Sequence, residues 1–311
     1  MTQPFRPPLN RLSRRYGLAF ALILLAPIIP AQAAELVIND YKDVEAYFEK
    51  EGFTQKNWEA GGREVPNFTF KSVGETWRSE TVPKIDVPTK KRLFFRALAP
   101  FGLKANNAVM VDRIRLLDLT NKKTELSADD QQWLIDLAVR YRVMKEPGSS
   151  VSTDQRTELT RRVDIVPLSL ILAQSAEESG WGTSRFTAEG NSLFGQWSWG
   201  KDAMIPKQQR RELGNYGLAS FDTVLDAVKS YVHNLNSGNA YKQLRQIRYE
   251  LRQNGEDVRG KALSEGLSKY SERGADYVKS IQAIMRVNKL ADADYAYLAE
   301  GEETVFIPAK P

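Results

Sequence analysis

Gln174-Ser175-Ala176-Glu177-Glu178-Ser179-Gly180-Trp181-Gly182 and, shortly after, Gly190-Asn191-Ser192-Leu193-Phe194-Gly195-Gln196-Trp197 carry most of the information in this chain. The run before them, Leu168 to Ala173, is almost wholly apolar, and Asp164 and Pro167 supply a cap-like residue and a first-turn residue. Together they predict a helix running to about Ser179 and stopped by Gly180 and Gly182. Two carboxyls then lie at the end of an apolar helix, ahead of a glycine-rich turn and a group of aromatics. Successive helical residues lie about 100° apart, so Glu177 and Glu178 cannot both enter one cleft. Glu177 follows the row of Leu170 and Ala173, and Glu178 that of Ile171 and Gln174. Periodicity does not choose between them. At a helix C-terminus the macrodipole disfavours an ionised carboxylate, which suits a group that must give up a proton.

Outward from this point, residues 183–221 are short, polar and glycine-dotted around Trp197, Trp199 and Tyr216, which predicts a small β-rich or irregular lobe. Asp222 opens a helix with Val224, Val228, Tyr231, Val232 and Leu235 on one stripe. Tyr241 to Leu251 mark the next helix, and Tyr277 to Met285 the last. Upstream, Ser127 begins a helix through Trp133, Leu137 and Tyr141. Leu93, Phe94, Leu98 and Phe101 recur at helical spacing, and Pro100 predicts a kink or break before another helix through Val109 and Leu117. Residues 35–90 read as short helices and loops, 146–154 as a polar hinge, and the acidic stretch past Ala291 as a loose or surface-wrapping tail. The fold class is α+β and mainly helical. Its parts are a helical N-terminal region (34–120), the main domain with its small lobe (121–292) and a tail (293–311).

The first 33 residues read as an address. Arg6, Arg11, Arg14 and Arg15 precede an apolar run from Gly17 to Ile29, and Ala31-Gln32-Ala33 offers small residues to a signal peptidase. Cleavage after Ala33 implies a periplasmic or cell-envelope protein. The rival, an uncleaved anchor, has a short apolar run interrupted by Pro27. The full chain of 311 residues carries a net charge of +5, and removing those four arginines leaves +1. The basicity therefore gives no case for nucleic-acid binding. With no cysteine and a single histidine, His233, the chain has no thiol nucleophile and no His-rich metal site. Catalysis falls to Asp, Glu, Tyr, Ser or Lys, and no cofactor is implied.

A carboxyl in a partly apolar setting beside flat aromatic surfaces is what cleavage of a sugar polymer requires. Glu178-Ser179-Gly180-Trp181-Gly182 and Asn191-Ser192-Leu193-Phe194-Gly195 resemble the glycoside hydrolase family 73 β-N-acetylglucosaminidases, lysozyme-like enzymes, and above all their Bax branch. Pro167 to Gln174, Gly182-Thr183-Ser184-Arg185-Phe186 and Phe194-Gly195-Gln196-Trp197 look like the same signature, and the likeness spans roughly residues 85–290. It implies a lysozyme-like catalytic domain acting on peptidoglycan glycan strands, with Glu178, not Glu177, as general acid. It further implies that Trp181, Phe194, Gln196, Trp197 and Trp199 line the cleft. Asn191 holds a tight turn or meets an acetamido group. Tyr270, in Leu267-Ser268-Lys269-Tyr270-Ser271, matches a tyrosine that lies near the acid in that family.

Many members of that family carry a second glutamate in the small lobe. Here the candidate is Glu212, in Arg210-Arg211-Glu212-Leu213-Gly214, a context unlike the usual strand, with Glu189, Asp222 and Glu272 as alternatives. Three courses follow: inversion with Glu212 as base, attack by the substrate's own acetamido oxygen, or formation of an anhydro product as in lytic transglycosylases. A reading from another class is a wall-binding protein without effective catalysis, which engages a cell-envelope partner through residues 34–120.

Overall fold

The computed structural model describes residues 34–122, 124–201, 203–206 and 216–309. Residues 1–33, where the signal segment is expected, and Glu212 lie outside them. From the N-terminal side come β1 (Ala34–Ile38), α1 (Tyr41–Lys50), α2 (Gln55–Glu59), β2 (Glu64–Val65), β3 (Phe68–Phe70) and α3 (Gly74–Thr76). Then follow α4 (Val87–Asn121), α5 (Ala128–Arg140), α6 (Thr153–Arg162), α7 (Leu168–Ser179) and α8 (Arg185–Gly190). The small lobe contributes β4 (Trp197–Ser198) and β5 (Gly217–Leu218), paired antiparallel. The chain continues through α9 (Val224–Ser237), α10 (Lys242–Gln253), α11 (Gly260–Ser264) and α12 (Ala275–Val287), and ends in β6 (Tyr297–Leu298) and β7 (Thr304–Pro308). No helix among the described residues is long and apolar enough to cross a membrane.

The centre of the molecule is α7. Leu168 to Ala176 are buried without interruption, because α4, α11 and α12 all pack against this helix. A helix enclosed on every side needs no polar stripe, so its first half is mainly apolar and the polar side chains it buries, Ser169, Gln174 and Ser175, are hydrogen-bonded. The crossing with α4 is close: a Cβ on Gly102 would stand 2.5 Å from Leu168 Cδ1, so a larger residue there would have to displace the Leu168 side chain. The N-terminus of α7 has no side-chain cap of its own, because Pro167 is the N-cap residue. Asp294 caps it from far along the chain: its carboxylate accepts from the Ser169 N–H at 2.8 Å, the Ser169 hydroxyl at 2.9 Å and the Gly260 N–H at 2.9 Å.

Asp164, expected to cap this helix, is instead buried among arginines. Arg252 donates to it twice at 3.1 Å, and Arg113 and Arg248 lie within 3.4 and 4.0 Å. Burial pushes its carboxyl up, but Arg248, Arg252 and Arg113 together overcome this and hold it below the usual carboxylate range.

Two further expectations are corrected. Pro100 does not break the helix: α4 runs 35 residues straight through it. One lost backbone bond is outweighed because both sides of Pro100, from Leu93 to Val109, are anchored in the core against α7 and α9. The acidic tail is not loose, since β7 lies between β1 and β3 in a three-stranded parallel sheet, with Phe306 opposite both Leu36 and Phe70. The Phe306 ring stacks on Phe68 at 4.7 Å and meets Tyr47 edge-on at 4.9 Å. The N-terminal stretch read as helices and loops thus also contains strands, and it forms one compact unit with the rest.

Candidate active site at the end of α7

Three successive residues after α7, Gly180, Trp181 and Gly182, take positive φ of 58°, 63° and 76°. A tryptophan is strained there unless its surroundings fix it. The Trp181 carbonyl accepts from Trp77 Nε1 at 3.0 Å, and its ring packs edge-on against Phe95 and Phe94 of α4 at 5.0 and 5.8 Å. Trp181 is therefore committed to α4 and fixes the turn; it does not offer a bare face to a sugar.

The angular step of α7 sends the two carboxyls just before this turn in different directions. Glu177 points to the solvent edge, where Arg273 Nη1 binds it at 2.6 Å. Glu178 points inward, and its Oε1 accepts from the Tyr277 hydroxyl at 2.7 Å. Its Oε2 faces the backbone of Gly195, on which a Cβ would stand only 3.6 Å away; Gly195 itself has φ 58°. Burial raises the Glu178 carboxyl above its usual range. The Tyr277 hydroxyl opposes this, Glu177 adds to it, Arg273 opposes it, and the balance stays upward.

The hydroxyl that reaches Glu178 is that of Tyr277, while Tyr270, expected near this carboxyl, lies one ring further back. The Tyr270 hydroxyl donates instead to the Phe194 carbonyl at 2.9 Å, and its ring stacks on Tyr277 at 5.3 Å. Both tyrosines belong to one stretch, seven residues apart, and the sequence gives no sign which hydroxyl reaches the carboxylate. Behind Tyr277 the polar contacts continue: Gln174 Nε2 donates to the Tyr277 oxygen at 2.8 Å, and the Tyr231 hydroxyl donates to Gln174 Oε1 at 2.5 Å. Phe194 is buried and stacks on Tyr231 at 3.9 Å, so it serves the core beneath the cleft.

Of the remaining expected residues, Asn191 is buried at the end of α8 with φ 52° and donates to the Phe221 carbonyl at 3.0 Å, a turn-holding role. Gln196 reaches Ser230 of α9 at 3.2 Å. Trp197 and Trp199 are 49% and 66% exposed, with ring centroids 6.1 Å apart, and Trp197 stacks on Tyr216 at 5.0 Å. These two are the open aromatic faces of the lobe. Glu189 is paired with Arg185 at 2.8 Å, and Asp222 and Glu272 are exposed.

The site thus combines a shielded carboxyl, its pKa raised by burial, at the end of a buried helix with exposed indoles on the lobe beside it. Residues 153–290 match the glucosaminidase family model, described as mannosyl-glycoprotein endo-beta-N-acetylglucosaminidase. Protein bax of Escherichia coli K12 is 31% identical over 201 residues, which covers 64% of this chain and 70% of that protein. The chain belongs to the Bax-type glucosaminidases of glycoside hydrolase family 73. The catalytic domain of the autolysin Auto from Listeria monocytogenes aligns over 70% of this chain and 96% of its own at 13% identity, with a TM-score of 0.37, a likeness too loose to carry an argument.

Proposed function

We propose that the protein is an exported endo-β-N-acetylglucosaminidase of the cell envelope that cleaves peptidoglycan glycan strands, with Glu178 as general acid. The observation that carries this reading is the contrast within the glutamate pair. Glu177 is neutralised by Arg273, while Glu178 is shielded, biased towards its protonated form and anchored through one oxygen only. Protonated Glu178 gives its proton to the bridging oxygen as the bond from C1 of N-acetylglucosamine breaks. The substrate's acetamido oxygen attacks C1. Water then opens the resulting oxazolinium ion, its oxygen bonding C1 as the ring C1–O bond breaks, and gives a proton to the Glu178 carboxylate, leaving a reducing N-acetylglucosamine end. Glu212 is the proposed alternative to the acetamido group, acting as a carboxylate base towards water. Trp197 and Trp199 supply the surface on which sugar rings rest. Much of residues 34–120 supports the site, since α4 and Trp77 brace α7 and the turn after it, so a cell-envelope partner at this region would bind the outer face of a structural element.

The test is Glu178→Gln assayed by zymogram and by mass spectrometry of digested sacculi. Loss of muropeptide release with Glu178→Gln, and near-normal release with Glu177→Gln, is the expected result. Full activity of Glu178→Gln removes the assignment, and anhydro ends in place of reducing N-acetylglucosamine ends remove the hydrolytic course. If Glu212→Gln abolishes activity, the second group is that carboxylate and not the acetamido oxygen.

A further inference from the structure

We propose that Gln174 and Tyr231, neither of which touches substrate, are positioning residues that determine which oxygen of Glu178 carries the catalytic proton; this rests on the reading of Glu178 as the acid. The three side chains behind Glu178 are almost fully enclosed: Gln174 and Tyr231 are 0% exposed and Tyr277 1%. A phenol has one proton and can aim it in two directions within the ring plane. At Tyr277 one direction is taken, because Gln174 Nε2 donates to the phenolic oxygen at 2.8 Å, so the proton points at Glu178 Oε1, 2.7 Å away. In the structure the Tyr231 hydroxyl donates to Gln174 Oε1 at 2.5 Å, which leaves the Nε2 end of the amide facing Tyr277. Tyr231 thus fixes the amide, the amide fixes Tyr277, and Tyr277 occupies Oε1. The transferable proton is left on Oε2, the oxygen that faces Gly195 and the small lobe.

Polarisation runs in the same direction. Gln174 and Tyr277 each accept one bond and donate the next, which strengthens the donation by about 10–30% per bond in a dry setting. The row is tied to the substrate side as well, since Tyr231 stacks on Phe194, the neighbour of Gly195. The charged and titratable groups around Glu178 are Glu177 and Arg273 at the solvent edge, Tyr277 of α12, Tyr270 before it, Tyr231 of α9 and Tyr241 after it. Burial holds the four tyrosines neutral through the working range.

The experiment compares wild type, Tyr231→Phe, Tyr277→Phe and the double variant on soluble glycan strands across pH, with Glu178→Gln as reference. Tyr231→Phe removes one oxygen and keeps the stacked ring. Its kcat is expected to fall roughly three- to tenfold, the worth of one hydrogen bond, with KM within about twofold and the alkaline limb of kcat/KM moved upward. On the Tyr277→Phe background the same change is expected to add nothing, because its effect passes through Tyr277. Wild-type kcat and pH profile for Tyr231→Phe, or full additivity of the two changes, overturns the proposal while leaving Glu178 as the acid. An active Glu178→Gln overturns the underlying reading instead. A lower Tm with unchanged kinetics assigns the row to stability alone and also overturns it.

Discussion

Glu177 and Glu178 share a peptide bond and end up in opposite electrostatic settings, one 2.6 Å from the Arg273 guanidinium, the other 2.7 Å from the Tyr277 hydroxyl. The angular step of the helix separates them, and the enclosure of α7 makes the difference chemical. A cation at the solvent edge stabilises a carboxylate, whereas burial with a single neutral donor favours the acid form.

That bias has a cost in stability, which gives the first prediction. The folded-state pKa of Glu178 is raised, so the protonated form adds stability below the unfolded value of about 4.3, and this is lost as pH rises through the folded value. Glu178→Gln, neutral at every pH and still able to accept from Tyr277, is expected to have a higher Tm than wild type at pH 7. The gap should close towards pH 4 in scanning calorimetry.

Tyr277→Phe acts on the same carboxyl with the opposite sign of chemistry. The hydroxyl stabilises the ionised form and so draws the pKa down; its removal lets burial push the group further up. The alkaline limb of the pH–rate profile is expected to move to higher pH, with kcat at the optimum reduced about tenfold by the loss of orientation. An unmoved limb would show that this hydrogen bond is not made in the working enzyme.

Trp197 and Trp199 are 49% and 66% exposed on the lobe, with Trp197 backed by Tyr216. Trp197→Ala and Trp199→Ala are each expected to raise KM for glycan strands about three- to tenfold, with kcat nearly unchanged. Binding of sacculi in a pull-down checks this, and it should leave Tm within about 2 °C because surface changes away from the core cost little.

Asp164→Asn removes the one anion among Arg113, Arg248 and Arg252. Stripping one partner from a buried charge set costs about 3–5 kcal/mol, read as a lower urea midpoint. The wild-type carboxyl has a lowered folded pKa, so its contribution is present above the unfolded value of about 3.9 and lost as pH falls through the folded value. The variant should lack that part of the acid transition.

The helices around the site were legible because their signals are local. Gly180 and Gly182 ended α7, Ser127 capped α5 at 3.2 Å from the Asp130 N–H, and the stripes of α9, α10 and α12 were regular. Glu178 was singled out by resemblance, not by periodicity, since a helix buried all round has no face to read. Tyr270 was expected near Glu178 and lies one ring behind it, stacked on Tyr277; that Tyr277 makes the hydrogen bond depends on the orientation of two stacked rings, which no spacing encodes. Helix α6 was passed over, its start falling in the stretch read as a polar hinge: it buries only Leu159 and Arg162, so no apolar stripe announced it. The sheet was invisible for another reason. Its strands β1 and β7 come from opposite ends of the described chain, and parallel pairing over such a distance leaves no local trace.

The placement of β7 bears on the order in which the molecule is completed. The middle strand of the sheet is the last to be synthesised, so β1 and β3 emerge with no common neighbour and wait, edges unpaired, until residues 304–308 arrive. During that interval two strand edges are open to any passing extended peptide. Shortening the C-terminus by even this one strand would make the interval permanent and turn a folding delay into a route to aggregation.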